Sequence, residues 1–208
     1  MKFLLWGCIV GMMAVASTCD RDVPINDTDD IPQSVPADSA FMYAFAKLDG
    51  TWHGTFYIYR DTTPDSRGEA QLKPPATDFW RKPDIYLSDS VVVTQQYKSR
   101  TPFFQEVRIT DYYPDQGKTV VSKGVNKVQN GQLWCVVRKP EETVIHEGRL
   151  DGAGTIIWSR DERDPLKVEY FREEVEDSTY TIRGWGYYSQ ANLAKMPPFW
   201  FEATYYRQ

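Results

Sequence analysis

The sequence predicts an all-β fold, an antiparallel up-and-down β-barrel of about ten strands with a short N-terminal helix. Three observations predict it. The stretch from Leu48 to Ile58 alternates at period two, with Trp52, Gly54, Phe56 and Ile58 on one face and His53, Thr55, Tyr57 and Tyr59 on the other. From residue 85 onward, strand-like runs follow one another with turn signals and no long helical pattern between them. The final run, 199–207, places Phe199, Phe201, Ala203, Tyr205 and Arg207 on one face, so that it can pair with the first. Closing the sheet in this way removes the edges an open sheet would expose.

The 208 residues suffice for one domain with a sizeable core plus a tail. The N-terminus reads as a targeting segment. Lys2 precedes an apolar run, Phe3 to Ala16, that is too short to span a bilayer comfortably and ends in small residues. Two cleavage readings stand. Ala14-Val15-Ala16 fits the small-x-small pattern of ordinary signal peptidase, and Ala16-Ser17-Thr18-Cys19 resembles a bacterial lipobox in which Cys19 becomes the acylated first residue. Residues 19–38 hold six Asp and three Pro and little to bury, the composition of a disordered acidic tether. The expected organisation is a signal peptide over 1–18, a tether over 19–38 and a barrel domain over 39–208. The expected location is the cell envelope or periplasm, lipid-anchored through Cys19, or the secreted alternative. Asn26-Asp27-Thr28 is a glycosylation sequon, meaningful only in a eukaryotic secretory host.

Asp38 or Ser39 can cap a helix over 39–48, where Phe41, Phe45 and Leu48 recur at helical spacing and Asp49-Gly50 ends it. A strand over 51–60 follows. Residues 61–84 carry Pro64, Pro74, Pro75 and Pro83 alongside apolar Leu72, Phe79 and Trp80. They read either as a lid with a basic rim of Lys73, Arg81 and Lys82 or as an insertion. Further strands are expected near 89–98, 103–113, 118–128, 132–138, 143–150, 155–160, 166–175, 179–188 and 199–207. Asn130-Gly131, between two alternating runs, is the strongest hairpin signal. The run from Arg172 to Asp177 reads as a solvated hairpin end.

Gly50-x-Trp52 after a short helix, the train of hairpins and an Arg at the end of the last strand resemble the lipocalin and fatty-acid-binding (calycin) superfamily. Trp52-x-Gly54 with Glu202-x-Thr204-Tyr205-x-Arg207 is most similar to an uncharacterised bacterial family of calycin-like barrels. The resemblance covers about residues 40–208. It implies a barrel with an interior cavity, brings no catalytic motif, and makes 61–84 the counterpart of the first-hairpin lid. Trp52 and Arg207 are the expected barrel-closing pair, through a cation–π contact.

A net charge of −5 gives no sign of a nucleic-acid partner. No phosphate-binding Gly loop, Cys-x-x-Cys pair or Gly-x-Ser-x-Gly elbow is present, so neither cofactor nor metal is expected. The cavity candidates are Phe56, Ile58, Val107, Trp134, His146, Trp158, Arg183, Trp185, Phe201 and Tyr205. Trp134, Trp158 and Trp185 occupy central positions of separate strands. His146 reads as a structural histidine, an axial haem ligand or a general base. Arg183, if buried, needs a partner: a ligand carboxylate, Glu147 or Glu169. Cys135 is a small core residue if Cys19 is acylated; otherwise a Cys19–Cys135 disulfide stays open.

These residues point to an exported barrel that binds a small hydrophobic or amphipathic molecule. Two alternatives stand beside it. One is a barrel enzyme of isomerase, cyclase or lyase type using His146, Arg183 and Tyr205. The other is an envelope lipoprotein that acts through its surface and touches the membrane only through its anchor.

Overall fold

The computed structural model describes residues 30–61, 85–152, 154–163, 166–189 and 199–208. The acylation and cleavage readings, the sequon and residues 62–84 lie outside the described residues. Ten strands form one closed antiparallel barrel in simple meander order: β1 (Gly50–Asp61), β2 (Ile85–Thr101), β3 (Phe104–Tyr113), β4 (Lys118–Gln129), β5 (Gln132–Arg138), β6 (Thr143–Leu150), β7 (Thr155–Arg163), β8 (Leu166–Val175), β9 (Thr179–Ser189) and β10 (Phe199–Arg207). Each strand pairs with its neighbour in sequence, and β10 returns to β1 with Trp52 opposite Arg207 and Ile58 opposite Phe201.

Local chemistry sets the turns. Asn130 and Gly131 both adopt positive φ, 55° and 72°, as a two-residue hairpin between right-twisted strands requires. The β2–β3, β4–β5, β6–β7 and β8–β9 turns lie at one end of the barrel, here called the base. The 114–117 and 139–142 turns lie at the other end, the rim.

The segment before β1 closes the base. The expected single helix over 39–48 is instead two 3-10 turns, Pro36–Phe41 and Ala46–Leu48. Tyr43 breaks the run at φ 62°, donating its backbone N–H to the Pro102 carbonyl at 3.0 Å rather than continuing a helix. Burial still follows the apolar spacing: Phe45 and Leu48 are buried, and Phe45 stacks on Trp158 with centroids 6.3 Å apart. Asp38 is fully buried and latches the segment to the β4–β5 hairpin. Its carboxylate accepts the Gly131 N–H at 2.6 Å and the Val35 N–H at 2.8 Å. Gln105 donates to the Phe45 carbonyl and to Asp49 at 2.9 Å each, and Asn126 donates to Gln105 at 3.0 Å. A buried polar set connected in this way fixes one geometry, because an unmade bond there would leave a desolvated group.

Trp52 fills the base. It is fully buried, donates its indole N–H to the Leu48 carbonyl at 2.6 Å, and meets Tyr180 edge-on. The Arg207 guanidinium lies 4.2 Å over its ring. The same guanidinium donates to the carbonyls of Asp177 and Lys47, each at 3.0 Å, and to that of Asp49. One side chain thus joins β10, the β8–β9 turn and the segment entering β1.

Alternation divides the walls. Residues flanking the interior positions face outward and form two smaller apolar clusters, one around Ile157, Tyr170, Trp185 and Trp200 and one around Phe104, Val125 and Val136. Arg207→Ala is expected to lower the unfolding free energy by about 1–3 kcal/mol, the combined worth of a cation–π contact and lost carbonyl partners. Urea denaturation followed by tryptophan fluorescence measures it. Arg207→Lys should recover little, since an ammonium cannot fan out to three carbonyls while covering an indole.

Candidate functional site

The interior above the Trp52 plug is not filled. It holds a cavity of about 330 Å³, at the lower end of the roughly 300–1,000 Å³ usual for small-molecule pockets. Its middle is apolar: Phe56 and Ile58 from β1, Val91 and Val93 from β2, Val107 and Ile109 from β3, Ile182 from β9 and Phe201 from β10. Two glycines admit close neighbours in the wall. A Cβ at Gly184 would lie 2.3 Å from the Tyr170 carbonyl oxygen, and one at Gly148 would lie 2.3 Å from the Trp158 ring.

Seven of the sequence-derived candidates line this cavity: Phe56, Ile58, Val107, His146, Trp158, Phe201 and Tyr205. Three do not. On β9 the inward set is Tyr180, Ile182, Gly184 and Tyr188, so Arg183 and Trp185 fall on the outer wall. There Arg183 lies 3.4 Å from Glu202 of the paired strand, and Trp185 stacks on Tyr170 at 5.8 Å. On β5 the inward set is Leu133, Cys135 and Val137, so Trp134 also faces out. Central position in a strand does not decide the face; parity against the apolar neighbours does. His53 is outward, 3.0 Å from the Thr94 hydroxyl.

Polar groups gather at the two ends of the cavity. At the base is Glu173, with Tyr97, Tyr180, Tyr205 and Trp158 around it. The Trp158 indole and the Tyr180 hydroxyl act on the Glu173 carboxyl as donors, favouring the charged form. The Tyr180 hydroxyl is 3.5 Å from that of Tyr97, which donates to Gln95 at 2.7 Å. Burial pushes the Glu173 carboxyl up to about 7, against the pull of its two donors. Glu173 is half-buried and lines the cavity. Burial, and then the nearby Glu173, also pushes up the Cys135 thiol, which makes it a poor nucleophile. It is the one cysteine among the described residues.

At the rim the order is reversed. Glu169 sits 2.7 Å from the His146 Nε2 and accepts the Tyr188 hydroxyl at 2.7 Å, with Arg160 3.7 Å away. Burial opposes its ionisation. The hydrogen bond and attraction of His146, the Tyr188 hydroxyl and the Arg160 charge win, holding it at about 2. Arg160 also grips Glu162 at 2.7 Å and Glu142 at 3.3 Å, and Lys167 pairs with Glu142. Asp111 and Lys139 complete the polar lining at this end. Burial raises the Asp111 carboxyl and Lys139 lowers it.

His146 is held on two sides. Its Nε2 is held by Glu169, and its ring meets Phe171 edge-on at 5.6 Å. The contact with Glu169 fixes the ring through one of its two nitrogens, Nε2. Among the described residues no group of three or more His, Cys, Asp and Glu side chains is placed to hold a metal ion.

Sequence reasoning missed Glu173, assigned to a solvated hairpin end, and left out the Arg160–Glu169–Tyr188 set. The signal for Glu173 was in the sequence. Phe171 and Val175 share its parity, so the inner face of β8 runs straight through the charged stretch.

The fold and site define the class: a closed, ten-stranded antiparallel barrel with an internal cavity. No protein-family model matches the chain, and no curated protein matches it. Among solved structures it is similar to Rv2717c from M. tuberculosis at 14% identity and a TM-score of 0.51, covering 86% of this chain and 99% of that one. It is also matched to EF1p2_mFAP2b bound to DFHBI at 11% identity and a TM-score of 0.38, covering 81% of this chain and 99% of that one. A de novo designed fluorescence-activating β-barrel matches at 13% identity and a TM-score of 0.37, covering 80% of this chain and 98% of that one. The first of these shows a shared fold.

The two glutamates predict opposite pH effects. Glu173 keeps its proton to about pH 7 in the folded chain but loses it at the ordinary carboxylate value when unfolded. Stability therefore falls as pH rises through that window and levels off above it, by on the order of 3 kcal/mol. In Glu173→Gln this slope should vanish, as read by urea unfolding near pH 5 and near pH 8. Glu169, held at about 2, contributes stability above the ordinary carboxylate value that is lost as pH falls toward 2.

Proposed function

We propose that this protein is a calycin-like carrier: an exported barrel that takes a small apolar or amphipathic molecule into its interior. The observation that carries the reading is the unfilled cavity of about 330 Å³, apolar in the middle and polar at both ends. Filling the space with the protein's own side chains would raise stability, because each buried void forfeits contacts. A barrel that leaves it open trades stability for room. Export and a lipid anchor at Cys19 rest on the apolar run from Phe3 to Ala16 and the Cys that follows it.

One observation favours a second reading, acid–base catalysis. A carboxyl held near 7 inside a cavity suits general acid or base work. The triad the sequence offered for that chemistry is not assembled: Arg183 is outside, His146 is tied to Glu169 at the rim, and Tyr205 is at the base.

The test uses N-phenyl-1-naphthylamine, a neutral apolar probe that fluoresces on leaving water. The purified protein is expected to bind it at about one equivalent with a Kd in the micromolar range. Val93→Trp, which fills the middle of the cavity, should weaken binding about tenfold or more without lowering the melting temperature. Equal binding by wild type and Val93→Trp would place the probe elsewhere and sink the carrier reading.

A further inference from the structure

We propose that the base of the cavity is a site for an organic ammonium group, seated on Glu173 and walled by the rings of Tyr97, Tyr180, Tyr205 and Trp158. This deepens the carrier reading and rests on it. The sequence suggests a ligand acid met by Arg183; with Arg183 on the outer wall, the charged group facing the ligand is a carboxylate.

Three features support a cation rather than an anion or a neutral group. The first is lone-pair accounting. A carboxylate has about four acceptor positions, and the donors that act on Glu173 are two, Trp158 and Tyr180. The side chain faces the cavity, and among the described residues no Lys or Arg acts on it. Nearer the rim, Arg160 is engaged with Glu142, Glu162 and Glu169, and Lys167 with Glu142, while Lys139 acts on Asp111. The second is the walls. Tyr180 has Tyr205 at 5.4 Å and Tyr97 at 6.2 Å between ring centroids. Such an aromatic enclosure attracts an alkylammonium through the ring faces, and attracts it more when water is excluded. The third is the charge of the lining as a whole, where Asp111, Glu169 and Glu173 face Lys139 and His146. A ligand carboxylate would be repelled from the base; an ammonium would find a counter-charge there.

Binding such a cation requires Glu173 to ionise, so affinity couples to pH. The titratable groups packed around it are Tyr97 from β2, Cys135 from β5, Tyr180 from β9 and Tyr205 from β10, with Asp111 of β3 nearer the rim. Burial holds the three phenols and the thiol in their neutral forms. His146 of β6 and Glu169 of β8 are bound to each other.

The experiment is isothermal titration calorimetry of the purified protein with three matched probes: 4-phenylbutylamine, 4-phenylbutan-1-ol and 4-phenylbutyrate. Near pH 8 the amine should bind about tenfold or more tighter than the alcohol, and the carboxylate weakest. Since Glu173 titrates near 7, amine affinity should rise about tenfold between pH 6 and pH 8 while alcohol affinity stays flat. Glu173→Gln should bring the amine down to the alcohol and flatten its pH profile, leaving the alcohol unchanged. Wild-type protein that binds amine and alcohol alike, or a Glu173→Gln variant that keeps the preference, overturns the ammonium site while leaving the carrier reading intact. Binding of none of the three overturns the carrier reading and this inference with it.

Discussion

Everything inside this protein depends on one pairing: the last strand lying against the first. Until β10 meets β1 there is no interior, only a curved ribbon with two hungry edges and an apolar face open to water. The pairing joins residues some 150 positions apart, so it is costly in chain entropy and must be rewarded at once. The Trp52–Arg207 contact and the carbonyls that Arg207 gathers supply that reward where the two strands begin and end. The segment before β1 adds to it by packing Phe45 and Leu48 beneath the indole. Closure, plug and cap are therefore one structural event.

Inside the closed wall, identical chemistry takes opposite states. Glu169 and Glu173 are four residues apart on the same face of one strand, and their carboxyls are held at about 2 and about 7. Sequence spacing cannot separate them. Glu169 is desolvated in the company of His146, Arg160 and a phenol, while Glu173 is desolvated with only neutral donors. Burial penalises both charges, and only the first is compensated. The barrel thus has a salt-bridged rim and an electrically unbalanced floor.

Much of this architecture could be read in the sequence because strands declare themselves by period. The β1 alternation, the Asn130-Gly131 turn and the Phe199-to-Arg207 face all rest on local chemistry, and the strands lie close to where the pattern puts them. The segment before β1 is less legible. Phe41, Phe45 and Leu48 show that it packs, but the Tyr43 contact with Pro102 that breaks the helix is a tertiary fact. Legibility fails differently at the cavity. Arg183 and Trp185 share one face of β9, and nothing in their spacing says that the glycine-bearing face opposite is the inner one. In β8 the charge of the run from Arg172 to Asp177 masks the parity of Phe171, Glu173 and Val175. A composition rule overrides a periodicity rule there, and the periodicity rule is the one the fold obeys.

The placement of the two ends of the barrel's strand order also has a mechanical meaning. β1 starts and β10 finishes at the base, side by side, with the Gln208 N–H on the Thr51 carbonyl at 2.9 Å. A pull applied between them would not shear a ladder of bonds in parallel. It would peel β10 from β1 one pair at a time, as a zipper opens, with the Arg207 clasp bearing the load first. The barrel is soft to tension along its own chain, while force applied across the rim is shared by many strands at once.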